Sequence, residues 1–349
     1  QLLKGHAALQ GIASLDVDGN VLHLLPDTSL TDIPPMGGDM TFHLGMQNMN
    51  PLLSRLGIAD STLHVPPGTT LHGRATFKSN DYQLAVKMKS LAGDADLVAA
   101  TNVVSETYTA SFLANAFPLP AFLPSMDASS FSGFLTAEGQ RYDMTVPNAL
   151  MDIRAQVDSL RLAGIDLNNL TLAANIAQQH LDACFTADNT ALQGEGALKG
   201  NFIAGYHFNL NALLDRCSLQ QLAGTAEDVA VGSMVDVEFD SDETFDSLQT
   251  KGSLRFNHFD TPERSVMMKD INFDFAASPD TTLSHLSAGN MTLTFGTKGH
   301  IAALSSQLSP MMDYLSACAD SLRISHDTLR TLLPGVTLAL HAGNDNPLT

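Results

Sequence analysis

Tryptophan is absent from the 349 residues, and charge is scarce at 16%, against about 25% in ordinary chains. Basic residues number 18 against 37 acidic ones, so the net charge is −19. So few Lys and Arg suit a phosphate backbone poorly, which excludes nucleic acid as a partner. No apolar run nears the roughly 18 residues of a membrane span. Cysteines number only three: Cys184, Cys217 and Cys318 stand far apart, with no C-x-x-C, and an odd number cannot all pair. They read as small buried apolar residues. The start, Gln1 to His6, shows no signal-peptide pattern. The end, at Asn346-Pro347-Leu348-Thr349, shows no structural close. The expectation is a piece cut from a longer chain.

Motifs that carry chemistry are missing too. The twelve His residues form no H-x-H, H-x-x-x-H or H-E-x-x-H, so zinc has no local support, and most read as solvated strand positions. No Ser lies in G-x-S-x-G. Gly194 to Gly200 imitates a dinucleotide fingerprint but is one residue too long, and reads as a glycine-rich strand edge. Asp16, Asp18, Asn20 and Asp27 imitate a calcium loop, but Val21 stands where that loop needs Gly. Asp236, Glu238 and Asp240 share one strand face and read as a solvated, self-repelling edge. Asn169-Leu170-Thr171 and Asn290-Met291-Thr292 fit glycosylation sequons, relevant only in a eukaryotic secretory setting. The chain reads as non-enzymatic, with no cofactor.

What is present is alternation. The apolar fraction is 44%, too high for a disordered acidic chain. Apolar and polar residues alternate over Thr41–Met46, Tyr82–Lys89, Ile153–Asp158, Tyr206–Asn211, Val235–Asp240, Ile271–Ala276 and Met291–Gly296. In extended chain, alternate side chains point to opposite faces, so each segment is a strand with one apolar and one wet face. Asp18-Gly19-Asn20 reads as a hairpin turn, and Gly38-Asp39, Asn80-Asp81 and Gly139-Gln140 as further turns. Short helices are expected over Asn50–Gly57 and Ala212–Ala223, and a longer one over 309–323. A degenerate repeat starts near 40, 108, 206 and 291: an alternating strand, then a short apolar turn, then a hairpin. No linker divides the chain.

The fold expected is mainly β: an elongated, curved antiparallel sheet forming an open apolar groove, with short helical plugs. Its lining would be Phe42, Leu44, Met46, Leu84, Val86, Met88, Ile153, Val157, Phe208, Leu210, Phe273, Phe275, Leu293 and Phe295. Such a lining suits acyl chains, at roughly 0.8 kcal/mol per buried methylene. Periodicity alone favours a closed β-sandwich core, serving as a structural or interaction scaffold, over the open groove.

Two stretches add a resemblance. One runs through Tyr108–Phe112, Phe122-Leu123-Pro124, Gly133–Gly139 and Leu160–Leu172 to Gly194–Gly200. The other runs from Met268–Phe275 through Ser278–Thr282 and Ser287–Met291 to Leu332–Val336 and Gly343–Pro347. Together they resemble the translocation and assembly module (TamB) family in its Bacteroidota form, of the AsmA-like, bridge-like lipid-transfer group. The resemblance covers most of 100–349; the first hundred residues fit by pattern alone. It implies an open, taco-shaped β-groove in the periplasm and an inner-membrane anchor outside this segment. It also implies phospholipid as cargo and a TamA-like outer-membrane barrel as partner. The family has no catalytic residues to carry over.

Overall fold

A computed structural model of the chain describes residues 2–22, 37–266, 268–299 and 336–344, with 314, 325, 327, 328 and 331. The chain divides into two compact units, 1–195 with 218–226 and 196–217 with 227–349.

The first unit is an antiparallel meander with short interruptions. Its elements are β1 (Leu2–Leu9), β2 (Ala13–Leu22), β3 (Gly37–Met46), α1 (Asn50–Arg55), β4 (Thr69–Lys78), β5 (Asp81–Lys89), β6 (Asp94–Asn102), β7 (Thr107–Phe117) and α2 (Leu119–Phe122). There follow β8 (Phe131–Gln140), β9 (Leu150–Ser159), the small hairpin β10 (Arg161–Leu162) and β11 (Ile165–Asp166), β12 (Leu170–Ala177) and β13 (His180–Asp188). Leaving out the hairpin, each strand from β1 to β13 pairs antiparallel with the next, eleven strands in all. No pairing among the described residues joins β1 to β13, so this sheet is not closed into a barrel.

The chain continues as β14 (Leu192–Asn201), β15 (Tyr206–Ser218), α3 (Leu219–Ala223), β16 (Ala230–Ser241), β17 (Leu248–Asp260), β18 (Ser265–Val266), β19 (Ile271–Ala277), β20 (Thr281–Ala288), β21 (Met291–Lys298) and β22 (Thr337–Ala342). In the second unit β16, β17, β19, β20, β21 and β22 pair in that order, all antiparallel. The protein is mainly β, and all seven alternating segments fall inside strands.

Short helices interrupt the succession of strands at three places among the described residues. β3-α1-β4, β7-α2-β8 and β15-α3-β16 each place a short helix between two long strands. Pro51 and Pro120 start the first two, which fits proline's lack of an N–H to satisfy. Ser218 caps the third through its Oγ, and Gly224 closes it at φ 68°. The expected helix over Ala212–Ala223 is therefore shorter, because Ala212 to Ser218 extend β15. Asn50 opens α1 instead of capping it, and its Oδ1 accepts the Val65 N–H at 3.0 Å. The helix expected over 309–323, the fourth plug, Asp27, Cys318 and the Leu332–Gly335 motif lie outside the described residues.

The turn signals divide. Ser79-Asn80 turns between β4 and β5, close to the expected Asn80-Asp81. Asp18-Gly19-Asn20 is no turn: it lies inside β2, and the chain reverses at 10–12 instead. Gly19 stands between Leu3 and Met40 on the flanking strands, and a Cβ there would lie 2.3 Å from the Asp39 carbonyl oxygen. The glycine serves close strand approach. Gly38-Asp39 likewise lies within β3, and Gly139-Gln140 ends β8, with the reversal starting at Arg141, φ 70°. Gly194 to Gly200 is strand, within β14. Cys184 is exposed and Cys217 half-buried, which corrects the expectation of buried cysteines. The alternation puts Cys184 on the wet face of β13, opposite Ala173.

Burial is shallow. The largest fully buried side chains are Val21, Thr69, Thr282 and Ser218. Among the described phenylalanines only Phe122 is buried. A close-packed interior usually encloses Leu, Ile and Phe; here the buried apolar residues are mostly alanines.

Candidate functional site

Register turns the alternation into a surface. In the first unit one row of cross-strand neighbours runs Val17, Phe42, Gly73, Val86, Leu97, Phe112, Leu135, Ala155, Leu172, Phe185. A second runs Leu15, Leu44, Leu71, Met88, Ala95, Ala114, Gly133, Val157, Leu170, Ala187. A third runs Gly19, Met40, Ala75, Leu84, Ala99, Ala110, Ala137, Ile153, Ala174, Ala183. None of the three contains a polar side chain. All eight lining residues expected in this unit lie on this face; Met46 sits one step beyond the second row, beside Ala13 and Thr69.

Cover over this face is uneven. Met46 and Thr69, at the α1 end, are 7% and 0% exposed. In the interior rows Leu84, Leu97, Leu135 and Leu172 are 36, 37, 43 and 43% exposed. No protein packs over them fully.

The opposite face is wet. One of its rows runs His6, Asp16, His43, His72, Lys87, Asp96. Lys87 and Asp96 form an ion pair at 3.1 Å. Arg74 donates from Nε to Asp39 at 2.9 Å, and that hydrogen bond holds the Asp39 carboxyl below its usual range. Such exposed pairs contribute little stability but keep the face soluble. The separation is not perfect, since Val98, Leu113 and Phe134 lie on this side. Register also joins His43 to His72, 29 residues apart, with Nδ1 atoms 3.1 Å from each other. Among the described residues no group of three or more His, Cys, Asp or Glu side chains is placed to hold a metal.

The second unit repeats the scheme. Val237, Gly252, Phe273, Leu286, Leu293 and Leu340 form one row. Phe239, Thr250, Phe275, Ser284, Phe295 and Leu338 form the next, which two hydroxyls interrupt. Phe208 stacks on Phe239 at 6.3 Å and so shares this face, as does Leu210 two residues along β15. All six lining residues expected here are therefore together. The carboxylate edge needs correction. His207 bonds Asp240 at 2.7 Å, and Lys251 stands opposite Glu238 in register, so the carboxylates do not face only one another.

One device escaped the sequence. Four aromatic rings lie over a glycine of the neighbouring strand: Phe42 on Gly73, Tyr108 on Gly139, Phe208 on Gly200 and Phe273 on Gly252. A Cβ at each glycine would come within 2.0 to 2.4 Å of the ring or its hydroxyl. The rings fill the space that glycine leaves, which pins register and keeps them low against the sheet.

No family model, curated protein or solved structure matches the chain. No helix among the described residues is long and apolar enough to cross a membrane.

Proposed function

We propose that the chain binds lipid by its acyl chains along the apolar strand faces and conducts it. The open apolar groove foreseen above would be formed by these faces. One observation supports this most: three unbroken apolar rows cross ten strands, and Leu84, Leu97, Leu135 and Leu172 on them stay over a third exposed. Ten strands have nine spacings of about 4.8 Å, or about 43 Å of row. A bilayer core two chains deep is about 30 Å, so a row accommodates about three acyl chains end to end. A surface so much longer than one ligand, without a deep specific pocket, suits a conduit better than a carrier of one molecule. A tail of about 16 carbons gains on the order of 10 kcal/mol on leaving water.

The resemblance to the TamB family supports a place in the periplasm. There the chain would be a segment of an envelope protein anchored in the inner membrane and working with a TamA-like barrel, passing phospholipid towards the outer membrane. Protein purified without detergent is expected to release phospholipid on organic extraction, detected by mass spectrometry at one or more molecules per chain. Lipid-free protein whose apolar faces are closed against each other would favour the scaffold role instead.

A further inference from the structure

A polar cavity of about 700 Å³ lies past the end of β9, between the β10–β11 hairpin and α3. Ser129, Ser159, Arg161, Asp166, Thr190 and Gln221 are among its walls. Ser129, Thr190 and Gln221 are already engaged. The Ser129 Oγ accepts the Arg161 backbone N–H at 2.7 Å. The Gln221 Oε1 accepts the Asp166 backbone N–H at 3.3 Å, and its Nε2 donates to the Thr190 Oγ at 3.0 Å. Asp166 is held in place by the Thr190 hydroxyl at 3.0 Å and the Asn168 N–H at 3.1 Å. Of the two charged walls, only the Arg161 guanidinium has no hydrogen bond or ion pair. Arg74, Arg141, Arg154 and Arg216 each hold a carboxylate, whereas Arg161, like Arg55, Arg255 and Arg264, holds none.

A free guanidinium in a cavity is a fork for a phosphate. Here a fixed carboxylate shares the same walls, and no other charged side chain lines them. One cation and one anion complement a zwitterion better than a net anion. The cavity also adjoins the apolar face. Ser159 lines it, and Val157, two residues earlier, belongs to the second apolar row beside Gly133. Arg161 is four residues from Val157, at most about 14 Å of extended chain.

We propose that this cavity seats a zwitterionic phosphodiester headgroup, with the phosphate on Arg161 and the ammonium on Asp166, while the acyl chains lie on the neighbouring rows. This rests on the lipid role proposed above. The same chemistry occurs in soluble phosphate esters, so the test has two arms. In the first, the protein is loaded from vesicles of equal phosphatidylethanolamine and phosphatidylglycerol, and bound lipid is identified by mass spectrometry. The wild type should enrich the ethanolamine lipid about tenfold, the effect of one charge-assisted contact. Asp166→Asn, which removes the ammonium's partner, should bring the ratio near one, with total lipid and the thermal melt unchanged. Arg161→Gln should weaken retention of both lipids alike, since both carry the phosphate, and Arg161→Lys, which keeps the charge without the fork, should weaken it less. An unchanged ratio in Asp166→Asn, or unchanged retention in Arg161→Gln, overturns the headgroup site and leaves lipid binding by the face standing. A wild type that takes up no lipid overturns the face itself. In the second arm, glycerophosphoethanolamine is titrated calorimetrically. Arg161-dependent binding as tight as that of the lipid would assign the cavity to a soluble ester and overturn the lipid source.

Discussion

Aspartate at Leu97, Leu135 and Leu172 together is expected to strip bound lipid from the first unit by more than tenfold and leave its β circular dichroism intact. All three lie in one row, and they are 37, 43 and 43% exposed. In the lipid-free protein each new carboxylate reaches water, and substitutions at such positions usually cost within about 0.5 kcal/mol. Under an acyl chain the same carboxylate must be desolvated without a partner, which costs several kcal/mol. These leucines test the face more cleanly than Phe42 or Phe273, whose rings also fill the space over Gly73 and Gly252. Val98→Asp is the control. Val98 is 52% exposed but lies on the wet face, opposite Ser111, so its change should leave the lipid content unaltered. Equal loss from both variants would show that added charge alone expels lipid.

Gly38→Val is expected to unfold the start of the first unit. Gly38 has a φ of 138°, and a Cβ there would lie 1.9 Å from the Asn20 carbonyl oxygen. The obstacle is backbone, which cannot swing aside, so the cost is about 3 kcal/mol or more. Hydrogen exchange should show amide protection lost across β2 and β3. Gly57→Ala isolates the conformational part. Gly57 also has positive φ, 79°, but nothing lies within 4 Å of its Cβ position, so the expected cost is about 1 kcal/mol. Similar losses at both positions would mean that close approach of β2 and β3 contributes nothing.

Gly38 also shows where the sequence misleads. Gly38-Asp39 and Asp18-Gly19-Asn20 carry the composition of turns, yet both glycines lie inside strands where the neighbouring backbone leaves no room for a Cβ. A single sequence records that a glycine is needed, but not whether for curvature of the chain or for closeness of its neighbour. Alternation, by contrast, was legible wherever the wet face carried no large apolar residue, as over Tyr82 to Lys89 in β5. It faded in β6, where Val98 stands beside Leu97, and in β8, where Phe134 precedes Leu135. Those strands carry Leu97 and Leu135, over a third exposed, which were therefore not singled out. Their membership follows from hydrogen-bond register, which links residues on different strands and leaves no mark in either strand alone. The Arg161 cavity was hidden for the same reason. Its walls come from residues spread between Ser129 and Gly224, joined by no local motif.

The central claim is that lipid lies on one face of each sheet and not on the other. Photo-crosslinking tests it directly, with a benzophenone amino acid placed singly at Leu97 or Leu135 and at Ser111 or Thr136 on the opposite face. After irradiation in cells, mass spectrometry of the purified protein should find phospholipid adducts at Leu97 and Leu135 and almost none at Ser111 and Thr136. Equal labelling of the two faces, or none on either, would contradict a lipid-bearing apolar face.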